Sequence, residues 1–454
     1  MKIDKEKIKK ILLIRPEMIG DYVIITPAIA LLKQAFPWAI IAIFIKPFTR
    51  ALAQLNTEID EIITDPKQIK TGNYDLSIDF YGEPKYALLA LRAGIKYRVG
   101  DASRLFSSLF YNLKVFINWK DFTKHYLEHY CELLRPLGID ISAPHLHLQP
   151  NAAAIEELAK IIPDGAFSRP VVGLHIGTGG SNRAWTAENF AKTADLILSQ
   201  GIAQVILLGG EKETAKAQQI LALCHIQPIN LVNKLTLPQL VALISKLNVY
   251  VGTDTGPLHM AAAIKVPVAA LMVTKFVKPT QWGPWETRNL ILRPPHPCDK
   301  ICNPRTCTDP ACMDKITPED VLAAVKILLS GGGNQTLSQG KTDWLKKSLR
   351  ILLVTTQSTP QSSNQGTVQN ISQALTAEGF DIRVCPNLSF FKLVNYLVAQ
   401  DINLVHYLGG GSSIFLRLAC ALAGLKTNFP VLFFQSQQKF NNAQAIVEYY
   451  LKHI

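Results

Sequence analysis

The sequence has no uninterrupted stretch of roughly 20 apolar residues, the length a membrane-spanning helix needs. Its start, MKIDKEKIKKILLIRPEMIGDY, places charges before a short strand-like apolar run, which is not the pattern of a secretory signal peptide. Both absences lead to the expectation that the protein stays in the cytosol. Charge is sparse as well: 18% of residues are charged against 48% apolar, with no long basic run and no basic-aromatic stripe. A nucleic-acid partner is therefore not expected. The net charge of +12 also suits an anionic membrane surface or a phosphorylated substrate, and its sign alone does not choose among partners.

Paired C-x-x-C arms are absent too, which removes the strongest signature of a zinc ribbon. Of the eight cysteines, Cys131, Cys224, Cys385 and Cys420 stand among apolar neighbours and read as small buried hydrophobes. The other four, Cys298, Cys302, Cys307 and Cys312, cluster in PCDKICNPRTCTDPACM. A structural metal site or reduced thiols are expected there rather than disulfides, because a cytosolic setting keeps thiols reduced.

What is present is a strand-helix alternation that runs almost the length of the 454 residues. Apolar runs at 8–15, 39–45 and 75–80 read as strands, separated by helical stretches such as Ile24 to Ala35 and Tyr86 to Ala93. A second series begins with VVGLHIG at Val171 and continues through QVILLGG to VYVGTDTG. Such alternation predicts α/β units with parallel sheets. Prolines between Pro144 and Pro170 separate the two series, so lobes are expected at 1–150 and 151–330, with a ligand cleft between them. A Gly/Ser/Gln-rich linker at 331–347 leads to a third, smaller α/β unit at 348–454.

Three strand-to-loop junctions carry the chemistry. In IRPEMIGDYVIITPAI, Asp21 follows a strand, at the edge where parallel sheets hold ligands; a plain helix cap is the competing role. In VVGLHIGTGGSNRAW, small residues after Gly177, with Thr178 and Arg183, make a cradle for phosphate oxygens, although the loop is neither a Walker loop nor a dinucleotide fingerprint. In VGTDTGPLHMAAA, Pro257 suits a first helical turn, leaving the backbone of Thr255 and Gly256 at a positive helix end, with Asp254 and His259 close in sequence. Between these, Glu211 and Glu213 follow a strand and are ribose-binding candidates, or simply first-turn carboxylates.

Taken in order from about Lys10 to Val325, these segments resemble glycosyltransferase family 9. The resemblance also takes in YDLSIDFYGEPKYALLALRAGIKYRVG, HYLEHYCELLRPLGI, LLGGEKE and CMDKITPEDV. The best-known members move heptose from ADP-heptose onto the inner core of lipopolysaccharide. The resemblance implies a GT-B fold of two Rossmann-like lobes and an inverting transfer that needs no catalytic metal or other cofactor. ADP-heptose or another nucleotide sugar would be the co-substrate. It further implies a lipid-linked glycan acceptor and peripheral contact with the anionic cytoplasmic face of the inner membrane. By position, Asp21 matches the family's candidate base. Thr178 and Arg183 match phosphate-contacting positions, with arginine standing where lysine is common. Asp254, Thr255, Gly256 and His259 match the signature that meets the donor's diphosphate and sugar. The unit at 348–454 has no counterpart in the usual member. An epimerase or hydrolase on the same scaffold, and a non-catalytic nucleotide-sugar-binding protein, are the rival functions.

Overall fold

The structure is a computed structural model. It describes residues 3–178, 185–272, 278–293 and 311–332, together with the backbone of strands at 350–355, 381–386, 404–408 and 432–434. Arg183, Cys298, Cys302 and Cys307, and almost all of the expected linker, lie outside the described residues.

The first sheet holds β1 (Lys10–Ile14), β2 (Ile40–Phe44), β3 (Glu61–Ile63), β4 (Leu76–Asp79), β5 (Tyr97–Asp101) and β6 (Leu113–Val115). All pairings are parallel and the spatial order is β3-β2-β1-β4-β5-β6. The second holds β7 (Val171–His175), β8 (Gln204–Leu208), β9 (Ile229–Asn230), β10 (Val249–Thr253), β11 (Val268–Leu271) and β12 (Asn289–Leu292), again all parallel, in the order β12-β11-β10-β7-β8-β9. Counted from the first strand of each lobe, the two orders are the same doubly wound one. Each has its switch point beside its first strand, at β1/β4 and at β7/β10, where such sheets bind ligands. The central strands β4, β7 and β10 are buried along their whole length, because helices cover both faces of each sheet.

The helix expected over Ile24 to Ala35 is present from Thr26, and a short separate helix precedes it. That unexpected helix is α1 (Ile19–Val23), and α2 (Thr26–Ala35) is the expected one, with Pro27 in its first turn. Asp21 therefore sits inside a first helical turn and not in the loop ahead of it. The remaining helices that shape the site are α3 (Tyr126–Glu132), α4 (Ala187–Ser199), α5 (Thr214–Leu223), α6 (Gly256–Ala263) and α7 (Pro279–Trp282).

The chain divides into two compact units, Met1–Leu337 and Ser338–Ile454. In the second, β13 (Arg350–Thr355), β14 (Asp381–Pro386), β15 (Leu404–Leu408) and β16 (Leu432–Phe434) form a parallel sheet of order β14-β13-β15-β16. Among the described residues, no helix is long and apolar enough to cross a membrane.

A chain ended at Leu337 is expected to unfold as one cooperative unit, with a thermal midpoint within about 2 °C of the full chain's first transition, roughly the shift that ~1 kcal/mol makes at this size. Loss of the near-ultraviolet circular dichroism on truncation would contradict this.

Candidate functional site

The end of β1 is organised by one buried cation. Arg15 is 2% exposed. Its Nη1 donates to the Phe80 carbonyl (2.6 Å) and reaches Glu17 Oε2 at 2.6 Å. Its Nη2 donates to Asp21 Oδ1 and to the Tyr130 hydroxyl, both at 2.8 Å, and the guanidinium lies 4.4 Å from the centre of the Tyr130 ring. Burial opposes the charge, but Tyr130, Asp21 and Glu17 outweigh it and raise the Arg15 pKa above its ordinary value. The second oxygen of Asp21 accepts the Met18 backbone N–H at 3.2 Å. Asp21 thus caps α1 with one oxygen and pairs with Arg15 through the other. The sequence offered no sign of Tyr130, 115 residues from its partner.

Glu17 is the second carboxylate on Arg15. Burial pushes it up to about 7, with Arg15 working against the shift and Asp21 adding to it. It was missed because a glutamate one residue after a proline, in a short loop, looks like any solvated carboxylate.

Across from α1 stands α6 of the second lobe. A Cβ on Gly20 would lie 3.1 Å from His259 Cδ2 and 3.4 Å from Gly256 Cα; one on Gly256 would lie 3.1 Å from Ile19 Cγ2 and 3.2 Å from the Gly20 nitrogen. The two helix starts therefore meet glycine to glycine, at a separation that side chains would prevent. Thr255 is the extended N-cap of α6, and its hydroxyl donates to the Thr253 carbonyl at 3.3 Å. His259 is buried, with Nε2 3.3 Å from Asp254 Oδ1. The structure thus brings Asp21, Asp254, Thr255, Gly256 and His259 to one junction between the lobes.

Thr178 follows β7, beside the backbone of Gly177, whose carbonyl accepts from the Thr253 hydroxyl at 3.0 Å. That bond ties the loop after β7 to the end of β10. Lys216, on α5, donates to the Ile176 (3.2 Å) and Trp185 (2.6 Å) carbonyls, so one ammonium holds both flanks of the segment that contains Thr178 and Arg183. Burial lowers its pKa to about 8. Sequence reasoning missed Lys216, whose helical position is that of an ordinary surface lysine. Glu213 spends one oxygen on the Gly210 N–H (2.9 Å) and packs against Gly177, whereas Glu211 is exposed in the first turn. Cys312 is half-buried, and among the described residues no group of three or more potential metal ligands occurs.

An aromatic bridge fixes the lobes beside this junction. Trp282 of α7 stacks on Tyr126 of α3 (4.4 Å, 27°), Tyr126 stacks on Trp119 (5.4 Å, 29°), and Trp282 also lies 5.8 Å from the His259 ring. His125 Nδ1 accepts from the Leu127 N–H, so its Nε2 carries the proton and donates to the Gly283 carbonyl at 3.1 Å.

Residues 66–311 match the model of glycosyltransferase family 9 (heptosyltransferase). A putative glycosyltransferase of Haemophilus influenzae is 24% identical over 298 residues, 61% of this chain and 86% of the relative. Lipopolysaccharide heptosyltransferase 3 of Escherichia coli K12 is 26% identical over 299 residues, 60% and 84% of the two chains. Among solved structures, the glycosyl transferase family 9 protein of Veillonella parvula superposes with a TM-score of 0.63 at 22% identity, covering 73% of this chain and 99% of that one. E. coli ADP-heptose lps heptosyltransferase II gives 0.60 at 24%, covering 71% and 99%. At these identities the structural matches speak for the fold: two Rossmann-like lobes in the GT-B arrangement.

Glu17 yields a pH test. A carboxyl whose folded pKa stands above the ordinary 4.5 binds its proton more tightly when folded, so its contribution is present below that value and is lost as pH rises toward 7. Glu17→Gln removes the charge and keeps an acceptor for Arg15. It is expected to stabilise the protein by about 1–2 kcal/mol at pH 8, after allowing for solvent screening, and to change little near pH 4.5. Urea titrations at the two pH values check this; an equal effect at both would refute it.

Proposed function

Because this chain belongs to glycosyltransferase family 9 and is a glycosyltransferase, we propose that it transfers heptose from ADP-heptose to a lipid-linked core glycan of the lipopolysaccharide type. The observation that carries this reading is the meeting of α1 and α6. It sets α1, which carries Asp21, against the helix start at Thr255 and Gly256 in the other lobe, which supports reading Asp21 as the base and that helix start as the anion-binding end. The sugar and the acceptor class are suggested by similar E. coli proteins, ADP-heptose lps heptosyltransferase II and lipopolysaccharide heptosyltransferase 3.

In this mechanism the acceptor hydroxyl gives its proton to Asp21 as its oxygen attacks the anomeric carbon. The bond to the diphosphate breaks on the opposite face, and inversion follows from the single displacement. The electron pair leaves with the nucleoside diphosphate. Its charge is met by the N–H groups at the start of α6, by Thr178 and by Arg183, so the chain's own donors serve where other transferases use a divalent cation. His259, held by Asp254, adds a donor beside the sugar. Glu211 is the better placed of the two glutamates for a ribose, since Glu213 already caps Gly210.

The acceptor side also supports contact with an anionic membrane on the cytoplasmic face. Leu105, Phe106 and Leu109 are 73%, 69% and 71% exposed, and Phe116 is 65% exposed. They follow β5 and β6 at the same C-terminal edge of the parallel sheet from which Asp21 follows β1. Residues 83–124 carry eight lysines and arginines against three carboxylates, which complements anionic headgroups around the apolar side chains.

Two measurements test the function. Mass spectrometry of ADP-heptose with and without a core-glycan acceptor should find the glycosylated product only with acceptor; hydrolysis or isomerisation of the donor alone would favour a different enzyme. Asp21→Asn should lower transfer by roughly 10²–10⁴-fold with donor affinity nearly unchanged. Its fold should survive, because Arg15 keeps Glu17, Tyr130 and the Phe80 carbonyl and escapes the ~3–5 kcal/mol of a stranded buried charge.

For the membrane face, serine at Leu105, Phe106 and Leu109 together is expected to cut sedimentation with phosphatidylglycerol vesicles at least about 10-fold, three buried side chains being worth several kcal/mol. Unchanged sedimentation would rule the patch out.

A further inference from the structure

Asp21 does not have Arg15 to itself. One guanidinium, nearly closed off from water, gives Nη2 to Asp21 and Nη1 to Glu17, at 2.8 and 2.6 Å. A single positive charge is divided between two carboxylates only four residues apart. We propose that Glu17 is a positioning residue for the base: its ionised form draws on the Arg15 charge and leaves Asp21 able to take the acceptor's proton. This rests on the reading of Asp21 as that base.

With Glu17 protonated, the full charge of Arg15 bears on Asp21 and holds its electron pairs. With Glu17 ionised, the cluster has one negative charge in excess, and a proton arriving on Asp21 relieves it. The coupling is strong because Arg15 is buried, where charges a few ångströms apart interact far more than in water. The charged and titratable groups facing Glu17 come from every neighbouring element: Arg15 at the end of β1, Asp21 on α1, Lys46 after β2, Tyr81 after β4, Arg104 after β5 and Tyr130 on α3. Tyr81 and Tyr130 are both held above the ordinary tyrosine value by burial and stay neutral. Glu17, at about 7, changes charge in the range where the enzyme would work. A purely structural contact to Arg15 needs no such charge, since a glutamine would accept the same hydrogen bond without the burial cost.

The test is the pH dependence of kcat for transfer from ADP-heptose, at saturating donor and acceptor, for the wild type, Glu17→Gln, Glu17→Asp and Asp21→Asn. The wild type should show an acid limb with its midpoint near 7. Glu17→Gln should lose that limb and fall about 10-fold on the plateau while ADP binding is unchanged, and Glu17→Asp, which keeps the charge, should recover most of the plateau. A Glu17→Gln profile with the wild-type limb and plateau, beside an inactive Asp21→Asn, overturns the proposal alone. Near-normal transfer by Asp21→Asn removes the base, and the proposal with it. Should Glu17→Gln fail to fold, Glu17→Ser reads the same limb.

Discussion

Two helices that begin at the switch points of two different sheets touch through Gly20 and Gly256, and the candidate chemistry depends on that contact. A Cβ at either position would press on the opposite helix start at 3.1–3.4 Å, tight enough that the two starts would have to give way slightly. The aromatic bridge Trp282–Tyr126–Trp119 and the His125–Gly283 hydrogen bond serve the same end from the side, fixing the approach that the glycines permit. Large, rigid rings suit this task, because they bury much area for little lost conformational freedom.

Within the first lobe the corresponding constraint is the buried Arg15. A cation this enclosed persists only with its donors satisfied, and its partners come from four places in the chain: the Phe80 carbonyl, Glu17, Asp21 and Tyr130. Each partner is oriented in return. Asp79 shapes the turn after β4 by accepting the Tyr81 and Gly82 N–H groups, which follow directly on the Phe80 carbonyl that Arg15 needs. Lys216 plays a comparable part in the second lobe, where one ammonium pins both flanks of a loop through backbone carbonyls. In the first lobe the buried cation holds a backbone carbonyl and two carboxylates, and in the second the half-buried one holds backbone carbonyls alone.

The third unit repeats the parallel strand pattern of the lobes on a smaller scale, with β13 flanked by β14 and β15 as β1 is flanked by β2 and β4. Its GGGSS segment at 409–413 lies outside the described residues. Every residue gathered at the junction lies in the unit that ends at Leu337.

The amino-acid pattern alone determined that strands exist at KILLI, IIAIF, VVGLH and VYVGT, since continuous apolar runs bounded by glycine, proline and charge have few other uses in a chain this alternating. It also pointed to Asp21, Asp254, Thr255, Gly256 and His259, because residues after strands of parallel sheets stand at the ligand edge whatever the rest of the chain does. Tertiary structure decided the strand order, the existence of α1 and the cluster around Arg15. A five-residue helix has too little intrinsic propensity to announce itself, and α1 persists through the Met18–Asp21 cap and its contact with α6. Tyr130 and Glu17 could not be found from spacing, for their role comes from sharing one buried guanidinium. Local pattern encodes what a residue's neighbours in sequence require, whereas the charge of a group and the company it keeps are set by burial, which only the folded chain creates.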